Sequence, residues 1–215
     1  MKFKRPLYSG IFLRRYKRFF AEIDYNGRKI TCHCPNTGSM KNLLKEKNKV
    51  YFSESDNPKR KLKYTLEIIK SYGTLVGINT LKTNFIASEL LNTKSFMKKY
   101  NYDEILPEKK INEETRLDFC LMKKGLIIGF VEVKNVTLVR NIYARKKLRI
   151  AEFPDSITSR GSKHMNKLIN LKRKGFLCIM LYIVQRNDCE VFKIAKDIDL
   201  KYAQSYKKAQ KSDIK

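Results

Sequence analysis

Between Arg116 and Val136 the chain sets two short apolar runs about a tight turn. Phe119-Cys120-Leu121-Met122 precedes Lys123-Lys124-Gly125, and Leu126 to Val131 follows. Apolar runs of this length about a glycine-containing turn predict a β-hairpin. Alternate residues of a strand share a face, so Glu132 and Lys134 point the same way, and the hairpin brings Asp118 beside them. Two carboxylates and an ammonium at one sheet face have a bland explanation as solvated strand-end charges or an ordinary ion pair. They also match what a magnesium-dependent phosphodiester hydrolase needs. Carboxylates hold the hard cation, which polarises phosphate and activates water. The lysine stabilises negative charge or positions the water. The pattern alone leaves both readings open.

Upstream, five short strands with turns between them occupy about 80 residues, which predicts a small barrel, with an OB-fold as the candidate. Leu7 to Arg14, Phe19 to Tyr25, Lys29 to His33, Val50 to Glu54 and Lys63 to Lys70 are the strand segments, and Thr74 to Asn79 adds a further one. Asn26-Gly27 is a strong two-residue hairpin signal. Arg15-Tyr16-Lys17-Arg18 is a dense basic-aromatic cluster, and Asn57-Pro58-Lys59-Arg60-Lys61 a basic turn. Arg15, Tyr16, Lys17 and Arg18, with Arg60 and Lys61, form a candidate phosphate-tracking patch with a stacking ring. A basic edge strand that deters aggregation is the alternative for the first cluster. The loop Asn36 to Met40 offers small polar groups and backbone donors able to cradle a phosphate, or is an ordinary loop.

The charge supports a polyanion as partner. There are 47 Lys and Arg against 21 Asp and Glu, a formal net charge of +26. A folded protein so unbalanced points to nucleic acid through phosphate neutralisation. Lysines outnumber arginines 34 to 13, so part of the surplus can instead reflect A/T-rich codon usage. The five cysteines are odd in number and three lie in apolar runs, which predicts reduced thiols in a cytoplasmic protein. Cys32-His33-Cys34 has no second ligand pair at finger spacing, which argues against zinc. No apolar stretch is long enough to span a bilayer, so no membrane is expected.

Near residue 82 the pattern changes. Asn84 is a candidate N-cap for a helix from Phe85 through Leu91, with Phe85, Ile86 and Leu90 as its apolar face and Glu89 beside it. Glu89 is then either a rim residue or a third carboxylate at the metal site. Residues 94–110 show no clear periodicity. After the hairpin, Leu138 to Ile150 carries Arg140, Arg145, Lys146, Lys147 and Arg149, an exposed basic segment. A helix containing Met165, Leu168, Ile169 and Leu171 runs to about Gly175. Phe176 to Val184 is a buried strand, followed by Gln185-Arg186-Asn187-Asp188 where ligand groups often sit. Ile198 to Lys211 forms a charged terminal helix.

These segments together resemble the sugar fermentation stimulation protein (SfsA) family. The resemblance rests on Arg15-Tyr16-Lys17-Arg18-Phe19, His33-Cys34-Pro35-Asn36-Thr37-Gly38-Ser39-Met40, Val76-Gly77-Ile78-Asn79-Thr80, Arg116-Leu117-Asp118-Phe119, Val131-Glu132-Val133-Lys134-Asn135-Val136, and Phe153-Pro154-Asp155-Ser156 with Arg160-Gly161 and Lys163-His164. It implies an α+β / α/β chain: an N-terminal OB-fold β-barrel over 1–82, then a mixed α/β PD-(D/E)xK nuclease-like domain over 83–215. It implies DNA binding with little sequence preference, to single- or double-stranded DNA, with RNA as an open alternative. Carried over by motif, Asp118 and Glu132 are the metal-binding carboxylates for Mg2+, or Mn2+ in its place, and Lys134 is the catalytic lysine. Glu89 matches a helix glutamate of such nucleases, and Lys163, with Arg160, falls on the following helix as a supporting and nucleic-acid-binding position. The competing expectation is a catalytically silent DNA-binding regulator linked to sugar (maltose) metabolism.

Overall fold

The computed structural model describes residues 1–3, 5–107, 110–112, 115–141, 143 and 149–215. Alternating burial builds the first strands: β1 (Tyr8–Tyr16), β2 (Phe20–Tyr25), β3 (Arg28–His33), β4 (Lys49–Glu54), β5 (Tyr64–Ser71) and β6 (Thr74–Gly77). β1 pairs antiparallel with β2 and β4, β2 with β3, and β4 with β5. A short parallel contact of β3 with β5, Cys32 against Tyr64 and His33 against Thr65, closes the ring. This is the expected five-stranded OB-type barrel. Asn26 and Gly27 turn the β2–β3 hairpin with φ of 54° and 77°, the left-handed pair that a two-residue turn requires. Phe12, Ala21, Ile23, Cys32, Val50, Phe52, Leu66 and Ile69 fill the interior.

The chain continues through a 3-10 turn (Thr80–Lys82), α1 (Thr83–Leu91), α2 (Lys94–Tyr100), β7 (Glu104–Pro107), β8 (Lys110–Asn112), β9 (Thr115–Arg116), β10 (Phe119–Lys123), β11 (Leu126–Val136), β12 (Leu138–Val139), β13 (Ile150–Phe153), α3 (Ser159–Arg173), β14 (Leu177–Val184), β15 (Val191–Ile194) and α4 (Leu200–Lys211). Two compact units result, and neither is contiguous. The first comprises residues 1–81, 136–156 and 184–194; the second comprises 82–135, 157–183 and 195–215. Contiguous domains of 1–82 and 83–215 are the expectation from sequence. The short strands β12, β13 and β15 depart from that pattern because they pair among themselves and join the first unit. A bridge between Val76 and Arg186, and a bond from the Gly77 amide to the Gln185 carbonyl at 2.9 Å, tie 184–194 to β6.

Arg149 overturns part of the basic-segment expectation. It is buried and paired with Asp188 at 2.5 Å. Arg140 is engaged by both carboxylate oxygens of Glu152. Arg145, Lys146 and Lys147 lie outside the described residues. Arg186 and Asp188, expected at a ligand-bearing strand end, are likewise buried against each other.

In the second unit the strand order is β14-β11-β10-β7. Lys124 and Gly125, at φ of 49° and 77°, turn the predicted hairpin between Lys123 and Leu126. Ala87, Leu91, Tyr102, Phe119, Leu121, Val131, Val133 and Ile179 form the core that positions it. Two differences are local. Helix α2 was not expected; Thr93 caps it by accepting from the Phe96 amide, and Asn101 ends it in the left-handed region. In α1 the buried stripe is Thr83, Ala87 and Leu91, not Phe85, Ile86 and Leu90. Among the described residues no helix is long and apolar enough to cross a membrane.

Gly129 lies where β11 meets β14, and a Cβ there would fall 2.5 Å from the Leu177 carbonyl oxygen and 2.8 Å from its Cβ. The obstruction includes backbone, so the strands must part. Gly129→Ala is expected to cost about 1–3 kcal/mol, measured by urea denaturation. A wild-type midpoint would refute that tight approach.

Candidate functional site

The hairpin register determines the site. Phe119 pairs with Val131 and Cys120 with Phe130, so Asp118, one step beyond the last pair, comes opposite Glu132. The Val133 amide donates to Asp118 Oδ2 at 2.8 Å, and the Asn84 side-chain amide donates to Oδ1 at 2.9 Å. Glu132 lies deeper, with its side chain 3% exposed. Its Oε1 takes two partners: Lys134 Nζ bonds to it, and His164 Nδ1 from α3 lies 2.5 Å away. Arg160 Nε approaches the other ring nitrogen of His164 at 3.4 Å. Glu132 Oε2 is buried and has no hydrogen-bond partner among the described residues.

Burial, then the neighbouring charge of Glu132, pushes the Asp118 carboxyl above its ordinary value; the Val133 and Asn84 bonds and Lys134 oppose this. Burial also pushes Glu132 up, but the His164 hydrogen bond and the Lys134 charge outweigh it, so its carboxyl lies below the usual value. Burial raises the Tyr202 phenol, and the Glu132 charge adds to this against a hydrogen bond with Tyr182. Asp118 therefore carries a disfavoured charge beside a carboxylate that stays ionised, and an unused oxygen of that carboxylate is sealed from water. Such a pair fits a hard divalent cation. Among the described residues no group of three His, Cys, Asp or Glu side chains forms a ready-made cage. Mg2+ needs none, since one or two carboxylates with water and substrate phosphate complete its shell.

Asp118, Glu132 and Lys134 are thus brought together as the spacing predicts. Glu89 is exposed and lies about 140° around α1 from Asn84, so this helix turns Asn84 toward Asp118 instead. His164 was missed in favour of Lys163. The signal was the phase of α3: Gly161, Met165 and Leu168 are buried, which puts His164 at the edge of that stripe and Lys163 almost opposite it. Lys163 and Arg160 are exposed on α3.

The remaining nucleic-acid candidates lie in the first unit. Lys17 and Arg18 are exposed and left-handed, with φ of 46° and 61°, at the β1–β2 tip. Tyr16 stacks on Phe20 with centroids 5.2 Å apart, and Phe19 is 47% exposed. Arg60 and Lys61 are exposed on the β4–β5 loop, and Arg60 comes 3.4 Å from His33 Nδ1, whose strand residue pairs with Phe20. Burial and the Arg60 charge lower the His33 pKa. The two loops therefore converge on one barrel edge, the place where OB-folds take single strands.

Arg15 differs from its neighbours. Its guanidinium donates to the carbonyls of Arg18, Gly38 and Asn36 at 3.0, 3.0 and 2.7 Å, and so holds the Asn36–Met40 loop. That loop cradles an anion, but the anion is the protein's own. Asp155 Oδ2 accepts from the Met40 amide and the Ser39 hydroxyl at 3.1 and 3.2 Å, and Gly38 admits it because a Cβ would stand 2.6 Å from the same oxygen. Cys32 and Cys34 are buried in the barrel core, and burial pushes the Cys32 thiol up to about 12, which suits packing.

Comparison with known proteins divides the chain into two contiguous segments that meet near residue 80. Residues 13–78 match the family model "SfsA N-terminal OB domain", and residues 81–215 match "Sugar fermentation stimulation protein RE domain". A sugar fermentation stimulation protein homolog of Pelagibacter ubique is 48% identical over 214 residues, covering 100% of this chain and 89% of the relative. The homolog of Bdellovibrio bacteriovorus is 43% identical over 226 residues, covering 100% and 90%. A solved structure of Pyrococcus furiosus SfsA in complex with Ca2+ superposes with a TM-score of 0.84 at 26% identity, covering 100% of this chain and 88% of that one.

Proposed function

This chain belongs to the sugar fermentation stimulation protein family, and from that premise we propose that it binds DNA with little sequence preference and hydrolyses phosphodiesters at Asp118, Glu132 and Lys134. The observation that carries the hydrolytic part is Glu132 Oε2, buried and without a partner among the described residues, beside a carboxylate of raised pKa. The cation is Mg2+, with Mn2+ as a substitute, and Ca2+ in the Pyrococcus furiosus relative supports a divalent, oxygen-ligated ion. When bound, such an ion supplies Lewis-acid polarisation of the phosphate and activation of water. The chain's own residues do the rest. Lys134 and His164 hold Glu132 Oε1 and leave Oε2 free of both bonds. The Val133 amide and Asn84 orient Asp118. Lys134 places a positive charge where the phosphate gains negative charge.

The Lys134–Glu132 ion pair also favours a second reading, a DNA-binding regulator of sugar metabolism in which these charges only satisfy each other. One panel separates the two: single-stranded, duplex, nicked and structured DNA, and RNA, each with Mg2+ or Mn2+. The expected result is metal-dependent cleavage that falls by about 100-fold or more in Glu132→Gln. Intact binding without cleavage anywhere in the panel would leave the regulator. For the binding part, Lys17→Ala and Arg18→Ala should each weaken affinity for all sequences and reduce the salt slope by about one. Unchanged slopes would remove the β1–β2 tip from the interface.

A further inference from the structure

We propose that Phe85, flanked by Lys82, is a stacking platform for an unpaired nucleobase beside the Asp118–Glu132 site, so that the preferred ligand is single-stranded or locally unpaired nucleic acid. The inference rests on the nucleic-acid reading above and names the substrate class for the same site. Phe85 is 63% exposed. The core of its unit makes no use of it, since the buried stripe of α1 is Thr83, Ala87 and Leu91 and Phe85 lies about 200° from Thr83.

The helical turn that carries the ring is nevertheless held in place. Thr83 Oγ1 bonds to Asn135 Oδ1 at 3.2 Å, and Asn84 Nδ2 bonds to Asp118 Oδ1 at 2.9 Å. The first turn of α1 is therefore pinned both to the end of β11 and to a site carboxylate. Phe85 follows Asn84 by one residue, about 3.8 Å along the Cα trace. A phenyl ring is thus displayed within a side chain's reach of the place where a phosphodiester would be cut.

Lys82 Nζ stands 5.5 Å from the ring centroid, close enough for a cation–π contact. A ring that offers a face to a base, with an ammonium at its side for the adjoining phosphate, is the pairing used by proteins that hold single strands. Bases inside a duplex have both faces covered by their neighbours, so they cannot use the platform without leaving the stack. This makes the platform selective for strand character and indifferent to sequence.

The chain contains no tryptophan, so Phe85→Trp introduces a lone indole whose emission reports on that position. Exposure of the site makes both this variant and Phe85→Ala compatible with the fold, checked by unchanged thermal midpoints. The probes are an oligothymidylate, a duplex of equal length, and the same single strand carrying abasic positions, with binding followed by anisotropy. The expected result is quenching of the indole by the oligothymidylate, little quenching by the duplex, and an affinity loss of about tenfold for the single strand in Phe85→Ala. The abasic strand should bind both wild type and Phe85→Ala alike. Binding of the oligothymidylate with no quenching and no loss in Phe85→Ala would overturn the platform while leaving DNA binding intact. A shift in sedimentation from dimer to monomer in Phe85→Ala, with unchanged affinity, would assign the ring to a second copy of the chain and overturn it too. Failure of every oligonucleotide to bind the wild type would overturn both the platform and the nucleic-acid reading.

Discussion

Asp188→Asn loses about 3–5 kcal/mol at neutral pH, seen as a fall of roughly 10 °C in thermal midpoint. The carboxylate is buried between two guanidiniums. Arg186 Nε and Nη2 donate to its two oxygens at 2.6 and 2.8 Å, and Arg149 Nη1 adds a bond at 2.5 Å. Arg186 also donates to the Thr137 carbonyl at 2.7 Å, and its side chain is only 1% exposed. Removing the negative charge leaves two guanidiniums in low dielectric without the carboxylate set between them. Burial alone would push the Asp188 carboxyl up, but the Arg186 and Arg149 bonds hold it well below the ordinary carboxylate range. The sign of the pH dependence follows. The folded pKa is lower than the unfolded value of about 3.9, so this stabilisation is complete above that value and disappears as pH falls through the folded pKa. Thermal melts from pH 7 to pH 2 should fall steeply below about pH 4 for the wild type and less steeply, from a lower start, for Asp188→Asn. Parallel curves would show that the triad does not govern acid stability.

Asp118→Asn has the opposite effect on the metal-free protein and abolishes its response to metal. Burial and the Glu132 charge both disfavour the ionised Asp118 carboxyl. An amide of the same shape removes that repulsion. It keeps its bond to the Val133 amide, and Asn84 keeps its own by rotating its amide to accept. The midpoint without metal should therefore rise. Wild type with Mn2+ at a hundred times its dissociation constant gains about 2.7 kcal/mol; Asp118→Asn should gain none. A gain equal to that of the wild type would place the cation elsewhere. The expected trade of stability against function is common where charges are gathered for chemistry.

Local rules account for most of what the sequence made legible. Strand alternation and the turn at Lys124-Gly125 sufficed to bring Asp118, Glu132 and Lys134 together. The same logic, with Asn26-Gly27, sufficed for the barrel hairpin. What escaped was decided by helix phase or by partners far along the chain. Phe85, Ile86 and Leu90 outweigh Thr83 and Ala87 in hydrophobicity, yet the hydroxyl of Thr83 and the small Ala87 are buried. That rotation moves Glu89 off the site and brings Asn84 onto it. One residue of α3, about 100°, separates Lys163 from His164. Arg149 looks solvated in a basic run, and only Asp188, 39 positions later, makes it a core residue. Asp155, 115 positions beyond Met40, gives the Asn36–Met40 loop an internal anion to hold.

The bridge between Val76 and Arg186 imposes an order in time on a chain made from its N-terminus. The barrel strands are complete once Ser71 has emerged. Val76 then waits for about 110 further residues, roughly 5–20 s at ordinary rates of translation. Through that interval β6, the outermost strand of its sheet, carries an unanswered edge of the kind that recruits neighbouring chains. The newborn protein is therefore most vulnerable between two moments of its own synthesis. A ribosome that stops shortly after residue 82 would release a closed barrel whose last strand never meets its partner.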